Sequence, residues 1–158
     1  MATVVEQARE YLSLNPIDGW LIYDFQGMNP AFAEVVGSAN NLTRPVFALV
    51  RQDGDPILLA HAVDVGRFDL AGWKIQGYSG QSELHSSLAA LLAPLSNVAM
   101  EYSPQGALPK TSRVDAGTIE LVRSFGKTVT TSADLIQFAT QRWTTEGFAS
   151  HKRTSDAL

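Results

Sequence analysis

The sequence predicts one α/β domain whose mixed β-sheet has helices on both faces. Short apolar runs of strand length alternate along the 158-residue chain with segments in which apolar residues recur at helical spacing. Two of the runs, residues 45–51 and 56–60, flank the pair Asp53-Gly54, which is typical of a hairpin turn. One strand pair is therefore antiparallel, whereas strands that alternate with helices are parallel, so the sheet is mixed.

Length, composition and charge limit what such a domain could do. A chain of 158 residues, 45% of them hydrophobic, is long enough to bury its own core. It has no cysteine, which excludes disulfides, thiolate zinc sites and a cysteine nucleophile. A formal net charge of -4 gives no general attraction to nucleic acid or anionic lipid. Because it also lacks a signal peptide and a membrane-spanning run, we expect a cytoplasmic protein without nucleic-acid or membrane partners.

Capping signals mark the helices in the first half of the chain. Thr3 and Glu6 have the spacing of a capping box, and the helix that they begin should end at Asn15. Pro30 suits the first turn of a second helix, and Gly37 suits its end. The other predicted elements here are strands at residues 20–23, 45–51, 56–60 and 73–78 and helices at residues 62–68 and 83–92.

The second half of the chain is predicted to form a strand, a loop, a helix, a second strand and a second helix. Ser112 is the predicted N-cap of the first of these helices, and Gly126 should end it. Ser132 is the predicted N-cap of the second, whose apolar face continues to Trp143. The strands are predicted at residues 98–101 and 127–130.

Candidate site residues follow the ends of predicted strands, where loops of α/β proteins often carry function. Asp24, Phe25 and Asn29 lie in the loop after the first strand, and His61 and Asp64 form a His-x-x-Asp pair after the third. Each has a structural alternative. Asp24 could accept backbone hydrogen bonds in an ordinary turn, Asp64 could cap the short helix, and His61 could bond locally.

Glu101 lies at the end of the predicted strand at residues 98–101 and is a further candidate carboxylate. An ion pair with Arg113 or Lys110 is its structural alternative. Asp24, Asp64 and Glu101 together could hold a divalent metal, as a metal-dependent nuclease would require. The acidic chain lacks the basic footprint of a nuclease, and it contains neither a nucleophile elbow nor a phosphate-binding glycine loop.

Three stretches carry a resemblance to a known family: GWLIYDFQGMNPAF at residues 19–32, HAVDVGRF at residues 61–68 and VAMEYSPQGALPKTSRVDAG at residues 98–117. With the order of elements, they resemble the N-terminal domain of the creatinase and prolidase family, the Xaa-Pro dipeptidases and aminopeptidases. The resemblance implies a ribonuclease-H-like α/β fold for residues 1–143. It also implies that residues 144–158 begin the helix that leads to a pita-bread catalytic domain, which this chain lacks.

In this family the chemistry belongs to that catalytic domain. The resemblance therefore implies a proline-specific metallopeptidase, a hydrolase, whose full-length form binds two divalent metals (manganese, cobalt or zinc). It implies no catalytic residue, metal ligand or cofactor in this chain.

The role implied for this chain is to support a homodimer and to shape the mouth of the active site. Asp24, Phe25, Asn29, His61 and Asp64 are best placed to face that mouth or an interface. The alternatives are a free-standing binding or dimerisation module and the metal-dependent nuclease.

Overall fold

Six strands form one mixed sheet in the computed structural model of the chain, which describes residues 3–37, 42–143 and 145–156. Numbered in chain order, the strands lie side by side in the order four, three, two, one, five, six. The predicted mixed α/β sheet is therefore confirmed. The strands are β1 (Gly19–Asp24), β2 (Val46–Arg51), β3 (Ile57–His61), β4 (Lys74–Tyr78), β5 (Asn97–Met100) and β6 (Thr128–Thr131).

Helices cover both faces of this sheet, as the sequence predicted. In the described part of the chain, the first, second and fifth helices pack on one face, and the third and fourth pack on the other. The helices are α1 (Val4–Leu14), α2 (Pro30–Val36), α3 (Gln81–Leu92), α4 (Ala116–Ser124), α5 (Ala133–Thr140) and α6 (Thr145–Asp156).

The directions of the strands create one edge that collects most strand ends. β2 is antiparallel to both of its neighbours, which confirms the predicted hairpin, and the other pairs are parallel. The carboxyl ends of β1, β3, β4, β5 and β6 therefore lie along one side of the sheet. We call this side the carboxyl edge, and its strands end at Asp24, His61, Tyr78, Met100 and Thr131.

β1 lies at the centre of the sheet and is buried on both faces. Trp20 and Ile22 point into the core beneath α1, α2 and α5, whereas Leu21 and Tyr23 point into the core beneath α3 and α4. Successive side chains of a strand alternate between faces, so a continuous apolar run is what a doubly covered strand requires.

The capping box predicted for α1 is present in the structure. The Thr3 hydroxyl accepts a hydrogen bond from the Glu6 amide (3.2 Å), and the Glu6 carboxylate accepts one from the Thr3 amide (2.6 Å). Asn15 ends the helix, and Gly37 ends α2, both as predicted. These contacts lie within three or four residues of each other, so the sequence alone can specify them.

The helix predicted at residues 62–68 is wrong, because the structure has only a 3-10 turn there, Val65–Arg67. Asp64 stands at its start but makes no side-chain cap, and its Oδ1 instead pairs with Nε of Arg67 at 3.0 Å. Gly66 has a low helix propensity and disfavours a longer helix. The chain must also leave this turn to reach β4, which pairs with β3.

The predicted N-cap Ser112 is also wrong, since Asp115 caps α4 through a bond from the Thr118 amide to its Oδ1 (2.9 Å). The reason lies in the preceding residues. The amides of Arg113 and Val114 both donate to the Glu101 carbonyl, at 2.8 and 3.2 Å, which holds this segment against the end of β5. A helix therefore starts only after it.

The last two helices differ from each other in burial. α5 follows Ser132 as predicted, but it ends at Thr140, so the prediction that Trp143 continues its apolar face is wrong. The Trp143 side chain is 60% exposed, and its ring lies 4.7 Å from that of His151 in α6. α6 contributes no buried residue. The division at residue 143 into a domain and a connecting helix remains a prediction.

Membrane insertion was not expected from the sequence. Across the described ranges, no helix combines the length and the apolar character that crossing a bilayer requires.

Asp18 links the two turns at the opposite edge of the sheet. Its Oδ2 accepts hydrogen bonds from the amides of Ser96 (2.6 Å) and Asn97 (2.8 Å). The bonds from Asn97 and then Ser96 hold the pKa of Asp18 below its usual value of 3.8. The folded state thus favours the ionised carboxylate.

We expect Asp18→Asn to lower the free energy of unfolding by about 1 kcal/mol at neutral pH, because an amide oxygen accepts more weakly than a carboxylate and the site is partly solvated. A carboxyl whose pKa is lower in the folded than in the unfolded state stabilises the fold fully when the pH is above its unfolded pKa. This stabilisation is lost as the pH falls through the folded pKa. Urea unfolding from neutral pH down to about pH 2 should show the two proteins converging. Asp53→Asn, in an exposed turn, is the control; a constant gap between wild type and Asp18→Asn would contradict the prediction.

Candidate functional site

A buried carboxylate lies at the carboxyl edge. Glu101 directly follows β5 and is 1% exposed. Its Oε1 accepts hydrogen bonds from Nε1 of Trp20 (2.7 Å) and from the Ser132 hydroxyl (3.0 Å), and its Oε2 accepts one from Nδ2 of Asn29 (2.8 Å). The three donors belong to β1, to the residue before α5 and to the residue before α2. One side chain thus joins the ends of three segments that are distant in sequence.

The predicted ion pair of Glu101 with Arg113 or Lys110 is wrong. Arg113 and Lys110 line the same cleft as Glu101, but within the described residues neither forms an ion pair with its carboxylate. Neutral donors satisfy the carboxylate instead. Burial raises the pKa of Glu101 above its usual value, and the hydrogen bonds from Trp20, Asn29 and Ser132 offset part of this effect.

Asn29 connects Glu101 to the loop after β1. Its Nδ2 also donates to the Tyr23 carbonyl (2.7 Å), and its Oδ1 accepts from the Ala31 amide (3.0 Å), which caps α2. Its own amide donates to Oδ1 of Asp24 (2.8 Å). Every polar group of this buried side chain has a partner, so the residue is fixed in one orientation.

Asp24 organises the loop itself. Its Oδ2 accepts a hydrogen bond from the Gly27 amide (2.8 Å), which with the bond from Asn29 confirms the structural alternative for this carboxylate, a turn acceptor. Gln26 and Gly27 have φ angles of 61° and 73°, a left-handed turn that glycine adopts without strain. The turn presents Phe25 and Met28 to solvent, with Met28 66% exposed.

His61 and Asp64 form a second, separate group. Nδ1 of His61 accepts from the Val63 amide (3.3 Å), so Nε2 carries the proton and donates to the Ser79 carbonyl (3.2 Å). Local bonding, the structural alternative for His61, is confirmed. Asp64 is buried and paired with Arg67, as described above.

The two groups share the carboxyl edge, but among the described residues no hydrogen bond joins one group to the other. Asp24 pairs with Val46 of β2, and His61 lies beyond β2 on β3, roughly 10 Å away at two strand spacings. Asp24 and Glu101 are bridged by Asn29 rather than by an ion. Within the described ranges, no three His, Cys, Asp or Glu side chains come together as a metal site, so the nuclease alternative loses the cluster that it requires.

Clefts open along this edge in the part of the chain that the structure describes. The Glu101 cleft, about 540 Å³, has Asn29 and Glu101 in its wall, together with the charged residues Lys110, Arg113 and Asp134. The Phe25 cleft, about 530 Å³, shares Asn29 and Arg113 with it. Phe25 and Met28 also line the Phe25 cleft.

A further cleft, the Arg44 cleft, is about 580 Å³ and lies on the face that α3 and α4 cover, with His61 in its wall. Tyr78 also lines it, and burial raises the pKa of this tyrosine to about 12. The bonds of Trp20 and Ser132 to Glu101 were not predicted, because Trp20 lies in an apolar strand run and Ser132 was expected only as the N-cap of α5.

No protein-family model and no curated protein sequence matches the chain. Solved structures do match. The creatinase/prolidase N-terminal domain of an Xaa-Pro dipeptidase from Streptococcus pyogenes aligns over 84% of this chain and 95% of its own, with a TM-score of 0.64 and 15% identity. A proline dipeptidase structure from Streptococcus agalactiae aligns over 85% and 96%, with a TM-score of 0.67 and 18% identity. This chain has the creatinase/prolidase N-terminal fold.

The same fold occurs as part of longer chains. A dipeptidase from Pyrococcus horikoshii aligns over 91% of this chain but only 38% of its own, with a TM-score of 0.68 and 15% identity. The fold implied by the resemblance is thus confirmed. In this creatinase/prolidase N-terminal fold, the candidate residues Asp24, Phe25, Asn29, His61 and Asp64 all lie on the carboxyl edge or directly beside it.

Proposed function

We propose that this chain acts as the non-catalytic N-terminal domain of an Xaa-Pro dipeptidase or aminopeptidase, where it supports a homodimer and shapes the mouth of the active site. The observation that carries the proposal is the agreement in fold with N-terminal domains of Xaa-Pro dipeptidases over most of the chain. The match to little more than a third of the Pyrococcus dipeptidase supports a second, catalytic domain as the partner.

The loop after β1 has the properties of such a mouth. Phe25 and Met28 place apolar surface in solvent on the carboxyl edge, and Leu108 in the wall of the Glu101 cleft is also exposed. Asp24 and Asn29 anchor the base of the loop by buried hydrogen bonds. A rigid base with an exposed apolar tip favours binding because little conformational entropy is lost on contact.

A second exposed apolar surface supports a partner domain at the other end of the chain. Phe148 of α6 is 58% exposed, and Trp143 just before α6 is exposed to a similar degree. An isolated helix of this length is marginal in water, so tertiary contacts with another domain would account for it.

The two divalent metals, manganese, cobalt or zinc, belong to the catalytic domain in this proposal. The described residues offer no matching set of three His, Cys, Asp or Glu ligands.

Two measurements test the proposal. The purified chain with manganese should hydrolyse an Xaa-Pro dipeptide no faster than manganese alone, and hydrolysis above that blank would contradict the non-catalytic role. Sedimentation of the peptidase that contains this chain should show a dimer, and a monomer would contradict the role in dimerisation. A chain that folds and binds a partner with no peptidase domain in its reading frame would favour the free-standing module.

The role at the active-site mouth is tested in the peptidase that contains this chain. We expect the double variant Phe25→Ala, Met28→Ala to raise KM about fivefold with kcat nearly unchanged, because truncating an apolar contact weakens binding without touching the reacting groups. Leu14→Ala is the matched control, since Leu14 is 71% exposed at the end of α1 near the opposite edge. Equal changes in the two variants, or none in the first, would argue against the mouth.

A further inference from the structure

The Arg44 cleft has the size and lining of a small-molecule site, and it has no role in the proposed function. Its volume is about 580 Å³. It opens between the start of β2, the ends of β3 and β4, and the first turns of α3 and α4. Phe47, Leu84 and Leu121 supply the apolar part of its lining. Small-molecule sites are typically concave and mostly apolar, with a few polar groups that fix orientation.

The walls of this cleft are held by hydrogen bonds and ring contacts. The Tyr78 hydroxyl donates to the Pro45 carbonyl (2.6 Å), which ties the segment that carries Arg44 to the end of β4. The His61 ring packs edge-on against Tyr78, with centroids 5.2 Å apart, and both of its nitrogens are engaged. The cleft is therefore preformed rather than dependent on a ligand for its shape.

The acidic groups at the cleft already have partners. Asp115 accepts from the Thr118 amide at Oδ1 (2.9 Å) and from the Thr118 hydroxyl at Oδ2 (2.7 Å). Burial acts to raise the pKa of Asp115, but these hydrogen bonds outweigh it and leave the pKa below its usual value. Glu83, next to the cleft, accepts from the Ser79 amide (2.8 Å). The Asp115 and Glu83 carboxylates thus already accept hydrogen bonds at the starts of α4 and α3, and these oxygens are not free for a ligand cation.

The donors in the same walls are largely unused. Among the residues that the structure describes, the guanidinium of Arg44 makes one hydrogen bond, a long one of 3.3 Å to the Thr43 hydroxyl. The side chains of His85 and Gln81 have no hydrogen-bond partner among the residues that the structure describes. A ligand that completes this site must therefore bring acceptors rather than donors.

We propose that the Arg44 cleft binds a small organic anion with an oxyanion head, carboxylate or phosphate, on an apolar body. The head accepts hydrogen bonds from Arg44, His85 and Gln81. The body lies against Phe47 and Leu121. The fixed guanidinium fork of arginine suits both kinds of head, because each offers two oxygens to parallel N–H groups.

Titration of the full chain, followed by amide NMR shifts, tests the class of ligand. Phenyl phosphate and phenylacetate are the probes, and inorganic phosphate and benzyl alcohol are the matched compounds that lack the body or the charge. We expect at least one probe to shift the amides of Gly80 and Thr118 and to bind about tenfold more tightly than both matched compounds. The tighter of the two probes identifies the head. Equal binding of a probe and inorganic phosphate, or no shift with either probe, would overturn the proposal.

Substitution tests the site itself. Arg44→Gln should weaken binding of the better probe about tenfold, because it removes a charge-assisted hydrogen bond. Arg153→Gln is the matched control, since it removes the same charge from exposed α6 and should leave affinity within about twofold. Equal losses of affinity in both variants would show that the loss follows from net charge alone, and would refute the site. If Arg44→Gln does not fold, His85→Ala serves as the second variant, and unchanged affinity in it would refute the proposal equally.

Discussion

Glu101→Ala should lower the free energy of unfolding by about 3 kcal/mol, a large part of the stability of an ordinary domain. The substitution leaves Trp20 Nε1, one N–H of Asn29 and the Ser132 hydroxyl without their acceptor in a buried site. Each orphaned donor costs about 1–3 kcal/mol, and the removal of a desolvated carboxylate returns part of that. Urea unfolding at neutral pH measures the change.

Glu101→Gln separates the shape of this side chain from its charge. Gln keeps an oxygen for Trp20 and Ser132 but turns an N–H toward Asn29, so it should cost less than Ala. The raised pKa sets the sign of the pH dependence. A carboxyl whose folded pKa lies above its unfolded value, 4.5, stabilises the fold below that value and loses this stabilisation as the pH rises through the folded pKa.

The stability of the wild type relative to Glu101→Gln should therefore fall as the pH rises above the unfolded value of 4.5. Comparing the two proteins cancels the titration of the other carboxylates. A difference that grows with pH would mean that the three donors stabilise the ionised form more than burial penalises it. A stability loss below about 0.5 kcal/mol in Glu101→Ala would show that water replaces the carboxylate at no cost.

Asn29→Ala should have a second large effect, also about 3 kcal/mol, because three separate functions of one side chain disappear. The cap of α2 at Ala31 is lost, the Tyr23 carbonyl loses a buried donor, and Oε2 of Glu101 loses the only side-chain donor that the described residues give it. We also expect faster hydrogen exchange at the Gly27 amide, since the loop loses one of its two anchors.

Asn29→Asp is a sharper probe of the same contacts. Its carboxylate retains an oxygen for the cap but places a negative charge beside Asp24 and Glu101, so its stability should recover as the pH falls and the group protonates. Met28→Ala is the control for the loop, because Met28 is exposed and its loss should cost less than about 0.5 kcal/mol. If Asn29→Ala and Met28→Ala were equally stable, the hydrogen bonds of the Asn29 side chain would contribute no measurable stability to the site.

Local features of the fold were predictable because their causes lie within a few residues. The capping box of Thr3 and Glu6 and the turn at Asp53-Gly54 each depend on neighbours in sequence, and the structure has both the helix and the hairpin. The predictions at Ser112 and at residues 62–68 failed because contacts with residues distant in sequence determine the structure there. The bonds from Arg113 and Val114 to Glu101 delay α4, and the pairing of β4 with β3 shortens the turn before it.

The candidate site shows the same division. Asp24 and Asn29 lie five residues apart and were predicted together, and the structure joins them directly. The partners of Glu101 could not be predicted, because Trp20, Asn29 and Ser132 lie 81, 72 and 31 residues away along the chain. Only the strand order that places β1 beside β5, and β5 beside β6, brings these side chains to one carboxylate.

By itself the sequence determined the class of fold, the hairpin, most helix starts and the strand ends at which the candidate residues lie. Periodic apolar positions and short-range caps are sufficient causes for those features. The tertiary structure alone decided that Asp24 and His61 belong to separate groups, that neutral donors hold Glu101, and that Arg44, Gln81 and His85 share a cleft. Sheet order and register settle these contacts, and both follow from how two covered faces pack together rather than from any local run of residues.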